Sequence, residues 1–323
     1  MPKAIRTDSE NNRTTGIAIP RLYYDKPATV EQQVHDGDTL SVRPDGDIGV
    51  RLLGIDTPEV SFAFPGPKLT FVDLFDAAWN DYLKTVFDST KWGPFSSVVP
   101  DGLKSWIQAK LYGDPGTVHA AHAKAATDDL RSMITKDMEI MGQDITSFSY
   151  YLGFGFEVMD GYGRFLCTVN RNQPKRDVPT DRPPTYNLRM LERGRAFPYF
   201  IWPNISPWDR PDSMEKAVIP AGKAKEMADA NLELKLARGH VRKAREQHLG
   251  IFDSMNPCPL EPFELRFLSR RSLPDRYVID LSSDGNRLIK PENYYSVSHP
   301  EDRLWVSSIY VPFFEKHGWA IEA

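Results

Sequence analysis

Asp36, Asp38, Asp56 and Glu59 stand with Arg51 in one short stretch, Val34 to Glu59, and are the residues whose types and spacing best suit chemistry on an anion or around a cation. They fall in two acidic turns, Asp36-Gly37-Asp38-Thr39 and Asp56-Thr57-Pro58-Glu59. Pro58 disfavours the α region for Thr57, which holds that residue extended and leaves its carbonyl free to point at a cation.

The elements that must position these groups are short strands. Leu40 and Val42 alternate with Ser41 and Arg43, and Ile48, Val50 and Leu52 alternate again, the period of half-buried strands. Pro44-Asp45-Gly46-Asp47 between them is turn chemistry, so the spacing predicts an antiparallel pair. Regular alternation places Arg51 and Asp56 on opposite faces. Gly54 therefore has to mark a bulge or strand end that re-aims Asp56.

Further along, Phe154, Phe156 and Val158 alternate before Asp160-Gly161-Tyr162-Gly163-Arg164, and Phe165, Cys167 and Val169 after it, which predicts Arg164 at the mouth of a hairpin. Thr117 to Thr135 carries an apolar stripe of helical period, Ala120, Ala123, Ala126, Leu130 and Ile134. His119 and His122 on that helix lack a third ligand at useful spacing and are expected to face solvent. Tyr186 to Arg193 reads as a helix closed by Gly194, and Pro211 to Leu249 as mainly helical. Strand signals follow at Glu264–Leu268, Arg276–Leu281 and Leu304–Tyr310.

In their order, Asp36-Gly37-Asp38-Thr39, Arg51-Leu52-Leu53-Gly54-Ile55-Asp56-Thr57-Pro58-Glu59 and Asp160-Gly161-Tyr162-Gly163-Arg164 resemble the signature of the staphylococcal nuclease (thermonuclease) family. The resemblance implies an α+β fold: a five-stranded OB-fold β-barrel with packed helices. On that template residues 1–27 are an N-terminal lead and 28–255 a nuclease domain, with 256–323 a small C-terminal accessory module of α/β or β type. The connection after Glu59 exceeds the family's usual length, so 60–116 is a mainly helical, aromatic-rich insertion. It is expected to pack as a helical subdomain, or to overhang the site as a lid.

The implied activity is metal-dependent hydrolysis of phosphodiester bonds in DNA or RNA. Negative charge grows on the non-bridging oxygens during that reaction, so cations must be in place beforehand. Asp38, Asp56 and the Thr57 carbonyl would hold a hard divalent ion, Ca²⁺ by family precedent, with Mg²⁺ or Mn²⁺ as substitutes. Asp36 would orient a metal-bound water. Arg51 and Arg164 would clamp the phosphate, and Glu59 would deprotonate or orient the attacking water. Tyr162 and Tyr199 match nucleotide-contacting positions, while Ile201 stands where the family has a second tyrosine. The alternative is a non-catalytic OB-fold nucleic-acid-binding scaffold, which has no physical need for the full set of Asp38, Arg51, Asp56, Glu59 and Arg164.

Composition sets the remaining limits. The chain of 323 residues is 41% hydrophobic with a net charge of −4, enough apolar matter for a sizeable core. The acidic total argues mildly against a nucleic-acid partner, yet basic residues cluster at Lys223, Lys225, Lys235, Arg238, Arg242, Lys243 and Arg245 and again at Arg266, Arg270, Arg271 and Arg276. Cys167 and Cys258 are too few for a disulfide framework. Residues 1 to 20 carry no signal-peptide-like apolar run and no stretch suits a bilayer, so a cytoplasmic location without a membrane partner is expected.

Overall fold

The computed structural model describes residues 3–8, 13–36, 39–66, 70–173, 180–206, 208 and 211–322. They form a mixed α+β structure in which the strands make several small sheets, and no closed barrel appears among the described residues. No helix among them is long and apolar enough to cross a membrane.

Two sheets meet at the acidic segment. Val50–Leu52 pairs in parallel with Phe165–Arg171, with Arg51 opposite Leu166, and Phe165–Arg171 pairs on its other side with Tyr150–Met159. Gly54–Asp56 belongs elsewhere: it runs antiparallel to Phe197–Ile201, whose other neighbour is the parallel strand Arg303–Ser307, with Arg276–Asp280 at the far edge. The chain changes sheet across Leu53 and Gly54, where φ is +73°, a region that glycine enters without steric cost. The irregularity expected at Gly54 is thus present. It brings Arg51 and Asp56 to the same side although they lie on successive strands.

The antiparallel pair expected around Pro44-Asp45-Gly46-Asp47 does not form. Val42–Pro44 pairs instead with Ala18–Pro20, and Val50–Leu52 with Phe165–Arg171. The turn residues are present, but they separate strands of different sheets. Among the helices, Pro115–Met141 and Tyr186–Glu192 cover the predicted spans. Gly194 closes the second with φ +62°.

The C-terminal residues do not stand apart as an accessory module. Their strands extend the sheet that carries Asp56, and both hydrophobic cores draw on both sides of residue 256. Glu264–Leu268, expected as a strand, lies within the helix Pro262–Arg270. Pro262 opens that helix, and Glu261 and Glu264 form a reciprocal capping box, the start signal that outweighs a short apolar run.

The insertion is an antiparallel hairpin, Ser61–Phe64 with Thr70–Asp73, followed by four short helices from Ala77 to Gln108. Trp79, Leu83, Trp92, Leu103 and Ile107 fill its core, and Tyr82 stacks on Trp92 with ring centres 4.2 Å apart. That core continues into Phe263, Phe267, Tyr294 and Trp305. Polar contacts fasten the same junction. The fully buried Glu264 accepts from Lys110, from the Tyr294 hydroxyl and from the Trp106 indole at 3.2 Å. Arg303 donates to Glu261 at 2.6 Å, and the Tyr82 hydroxyl to the Leu268 carbonyl at 3.0 Å.

Burial pushes the Glu264 carboxyl up, but the Lys110 ammonium and the donated hydrogen bonds outweigh it, so the group is held below the ordinary 4.5. Removing one partner of such a buried pair costs about 3 to 5 kcal/mol, because a charge is stranded without its counterion. With Lys110 24% exposed, the Lys110→Met variant is expected at about 3 kcal/mol, the lower end of that range. Urea unfolding at neutral pH should show that loss, and Lys110→Met combined with Glu264→Gln should recover part of it. Equal losses in the single and double variants would refute the stranded-charge account.

Candidate active site

Asp56 ends its strand only 3% exposed. A carboxylate buried to that degree stays charged only when cations meet it. Arg51 Nη2 donates to its Oδ1 at 2.8 Å. Arg266, on the Pro262–Arg270 helix, places Nη1 on the same oxygen at 3.2 Å and Nη2 on Oδ2. Burial pushes the Asp56 carboxyl up, yet the two guanidiniums together hold it below the ordinary 3.8.

Glu59 lies three residues on, its side chain 35% exposed and its Oε1 3.9 Å from Arg266 Nη1. Its backbone N–H donates at 3.0 Å to Nε2 of His119. His119 is 1% exposed, and burial together with the nearby His122 pushes its pKa down to about 3, so the ring is neutral. Because Nε2 accepts, the proton sits on Nδ1, which faces the Cys258 sulfur at 3.6 Å. His122 is also buried, with Nε2 2.8 Å from the Asn256 carbonyl. The expectation of solvent-facing histidines is therefore corrected: the helix turns both toward the 253–260 segment. His119 fixes the backbone of Glu59, a role with no signature in residue spacing.

Arg164 sits at the predicted hairpin turn, held by Asp160 through Nε at 2.8 Å and Nη2 at 2.7 Å. Its guanidinium lies 5.3 Å from the ring centre of the exposed Tyr162. Both residues line a cleft of about 700 Å³. Residues between Phe263 and Arg276 line it as well. Five arginines line the cleft, Arg51, Arg164, Arg266, Arg270 and Arg276, against the carboxylates Glu157, Asp160 and Asp275, so the lining is net positive although the chain is acidic. None of the described residues of the insertion lines it. The insertion braces the Pro262–Arg270 helix from behind, which removes the structural ground for a lid.

Tyr199 is 8% exposed, and its ring stacks on Phe263 with centres 6.0 Å apart. Arg266 and Arg276 lie 5.6 and 5.8 Å from that ring, and Arg276 Nη1 donates to its hydroxyl at 2.9 Å. Tyr199 lines the cleft, where its ring is already packed by Phe263, Arg266 and Arg276. Arg276 Nε is buried without a hydrogen-bond partner among the described residues. The other basic cluster is largely neutralised at home, Arg238 by Asp302 at 2.7 Å and Arg245 by Glu301 at 2.7 Å.

Of the residues expected to hold a divalent ion, Asp38 lies outside the described residues, as does the side chain of Asp36, and Thr57 is half-buried beside Asp56. Asp56 is the one carboxylate of the expected ligand pair among the described residues. Asp56 already gives Oδ1 to two guanidiniums and Oδ2 to one, and no group of three His, Cys, Asp or Glu side chains converges among the described residues. Arg266 is the cleft residue that the order of residues did not single out. Its signal was the basic run at 266–276, and it becomes a site residue only through a contact spanning 210 positions.

Comparison of the chain with family models, curated proteins and solved structures gave no match.

Burial and the neighbouring Asp56 charge push the Glu59 carboxyl above the ordinary 4.5, and Arg266, Arg51 and Arg164 pull it back only in part. A raised folded-state pKa means that this group's contribution to stability is full below its unfolded pKa and is lost as pH rises through the folded value. Carbon-13 titration of the Glu59 carboxyl should give a midpoint above 4.5, and Arg266→Gln, which removes a stabilising cation, should move it higher. A midpoint unmoved by that substitution would sever the link between the two residues.

Proposed function

We propose that this chain is a phosphodiester hydrolase acting on nucleic acid, built on the OB-fold nuclease plan that its motifs resemble. The observation that carries the proposal is the cleft that Arg51, Arg164 and Arg266 line together, with the Glu59 carboxylate oxygen 3.9 Å from Arg266 Nη1. A cleft lined by five arginines suits a phosphate, because each planar guanidinium can give two parallel N–H bonds to its oxygens.

In the proposed reaction Arg51 and Arg164 hold the non-bridging oxygens and meet the charge that grows on them. Glu59, as carboxylate, takes a proton from water while the water oxygen bonds to phosphorus. The phosphorus–oxygen bond to the leaving sugar breaks, and that oxygen is protonated by solvent. His119 keeps the Glu59 backbone in place and, being neutral, adds no competing charge. Tyr162, exposed at the mouth beside Arg164, offers a ring to a base or ribose.

Labelled single- and double-stranded DNA and RNA, incubated with and without divalent ions, test the reading. Wild type should cleave at least one of them. Glu59→Gln should lose about 10²- to 10⁴-fold in rate and Arg164→Ala about 10²- to 10³-fold, with circular dichroism unchanged. Tight binding without cleavage under every condition would favour the scaffold reading instead.

A further inference from the structure

We propose that Arg266 is a resident cation of the site: it occupies the Asp56 carboxylate that the sequence pattern assigns to a divalent ion, and turns its remaining N–H groups to the same phosphate as Arg51. Three observations carry this. The Arg266 guanidinium spans both Asp56 oxygens while Arg51 takes a second position on Oδ1, which leaves one lone pair for any further partner. A Ca²⁺ brought to that lone pair would sit against two fixed positive charges. Arg266 also lines the arginine-bearing cleft, so its charge faces the space a phosphate would enter.

The third observation concerns how firmly the residue is held. Its helix is capped by Glu261 and Glu264, and these are tied to Arg303, Lys110 and Tyr294 by buried polar contacts. Phe263 and Phe267, one turn apart on that helix, are buried in the core shared with the insertion. The Arg266 guanidinium lies 5.6 Å from the Tyr199 ring, on which Phe263 is stacked. An arginine seated this way is preorganised rather than a loose arm that an ion would push aside. The insertion thereby gains a role at the site without touching the cleft: it holds the helix that holds the cation.

The phosphate half of this proposal rests on the nucleic-acid reading; the ion half does not. Two measurements separate them. Calorimetric titration with CaCl₂ should show no binding to wild type that depends on Asp56, whereas Arg266→Ala, which frees the carboxylate, should gain a calcium site that Asp56→Asn removes again. Fluorescence anisotropy of a short labelled DNA strand should give the same affinity in EDTA as in CaCl₂ for wild type. Arg266→Ala should weaken it roughly ten- to hundredfold in EDTA, with Arg266→Lys in between. Calcium binding by wild type that is lost in Asp56→Asn overturns the proposal, and so does a wild-type DNA affinity that collapses in EDTA. If DNA fails to bind under every ion while calcium is still refused by wild type and accepted by Arg266→Ala, the nucleic-acid reading falls and the resident cation stands. Should Arg266→Ala not fold, the two wild-type measurements decide the matter.

Discussion

The cluster of Asp56, Arg51 and Arg266 is the contact on which the remaining structure depends. A carboxylate as buried as Asp56 keeps its charge only with cations against it, since without them that charge is stranded away from water. Each member arrives on a different element: Arg51 on a strand of one sheet, Asp56 on a strand of another, Arg266 on a helix from the C-terminal quarter of the chain. Meeting that one electrostatic demand fixes where all three elements can lie.

Around this cluster the architecture separates the groups that face the cleft from those that brace it. The arginines and Tyr162 reach the open side, while the insertion, the buried Glu264 and Glu261, and His119 stand behind. The groups behind the cleft are largely paired or neutral, which keeps stray charge from competing with the arginines. Glu59 is the exception, a carboxyl left in partial contact with water and pushed above its ordinary range. This is the electrostatic condition expected of a group that exchanges protons.

Much of the acidic segment could be read from residue order alone, because its signals are local. Pro58, Gly54 and the Asp160 to Arg164 turn each constrain the backbone by their own chemistry, and the structure places Arg51 and Arg164 at the cleft as expected. What could not be read depends on long-range partners. The Leu40 to Leu52 strands alternate as a hairpin would, but alternation does not specify the partner, and Val42–Pro44 found Ala18–Pro20. Glu264 to Leu268 presents apolar residues that suit a strand or a helix, and only the cap at Glu261 and Pro262 decides. His119 on a helix gives no sign of the Glu59 backbone it will meet, and Tyr199 gives none of the two arginines that occupy its surroundings.

The 210 positions between Asp56 and Arg266 also have a meaning in time. A ribosome adds about 5 to 20 residues per second, so some 10 to 40 seconds pass between the emergence of the carboxylate and that of its clamp. The strand Arg303–Ser307, inner neighbour of Phe197–Ile201 in the same sheet, emerges later still. During that interval the motif residues exist but the arginine wall does not. The nascent chain carries its acidic segment before the arginines at 266 to 276 exist, so the cleft can be completed only in the last quarter of translation.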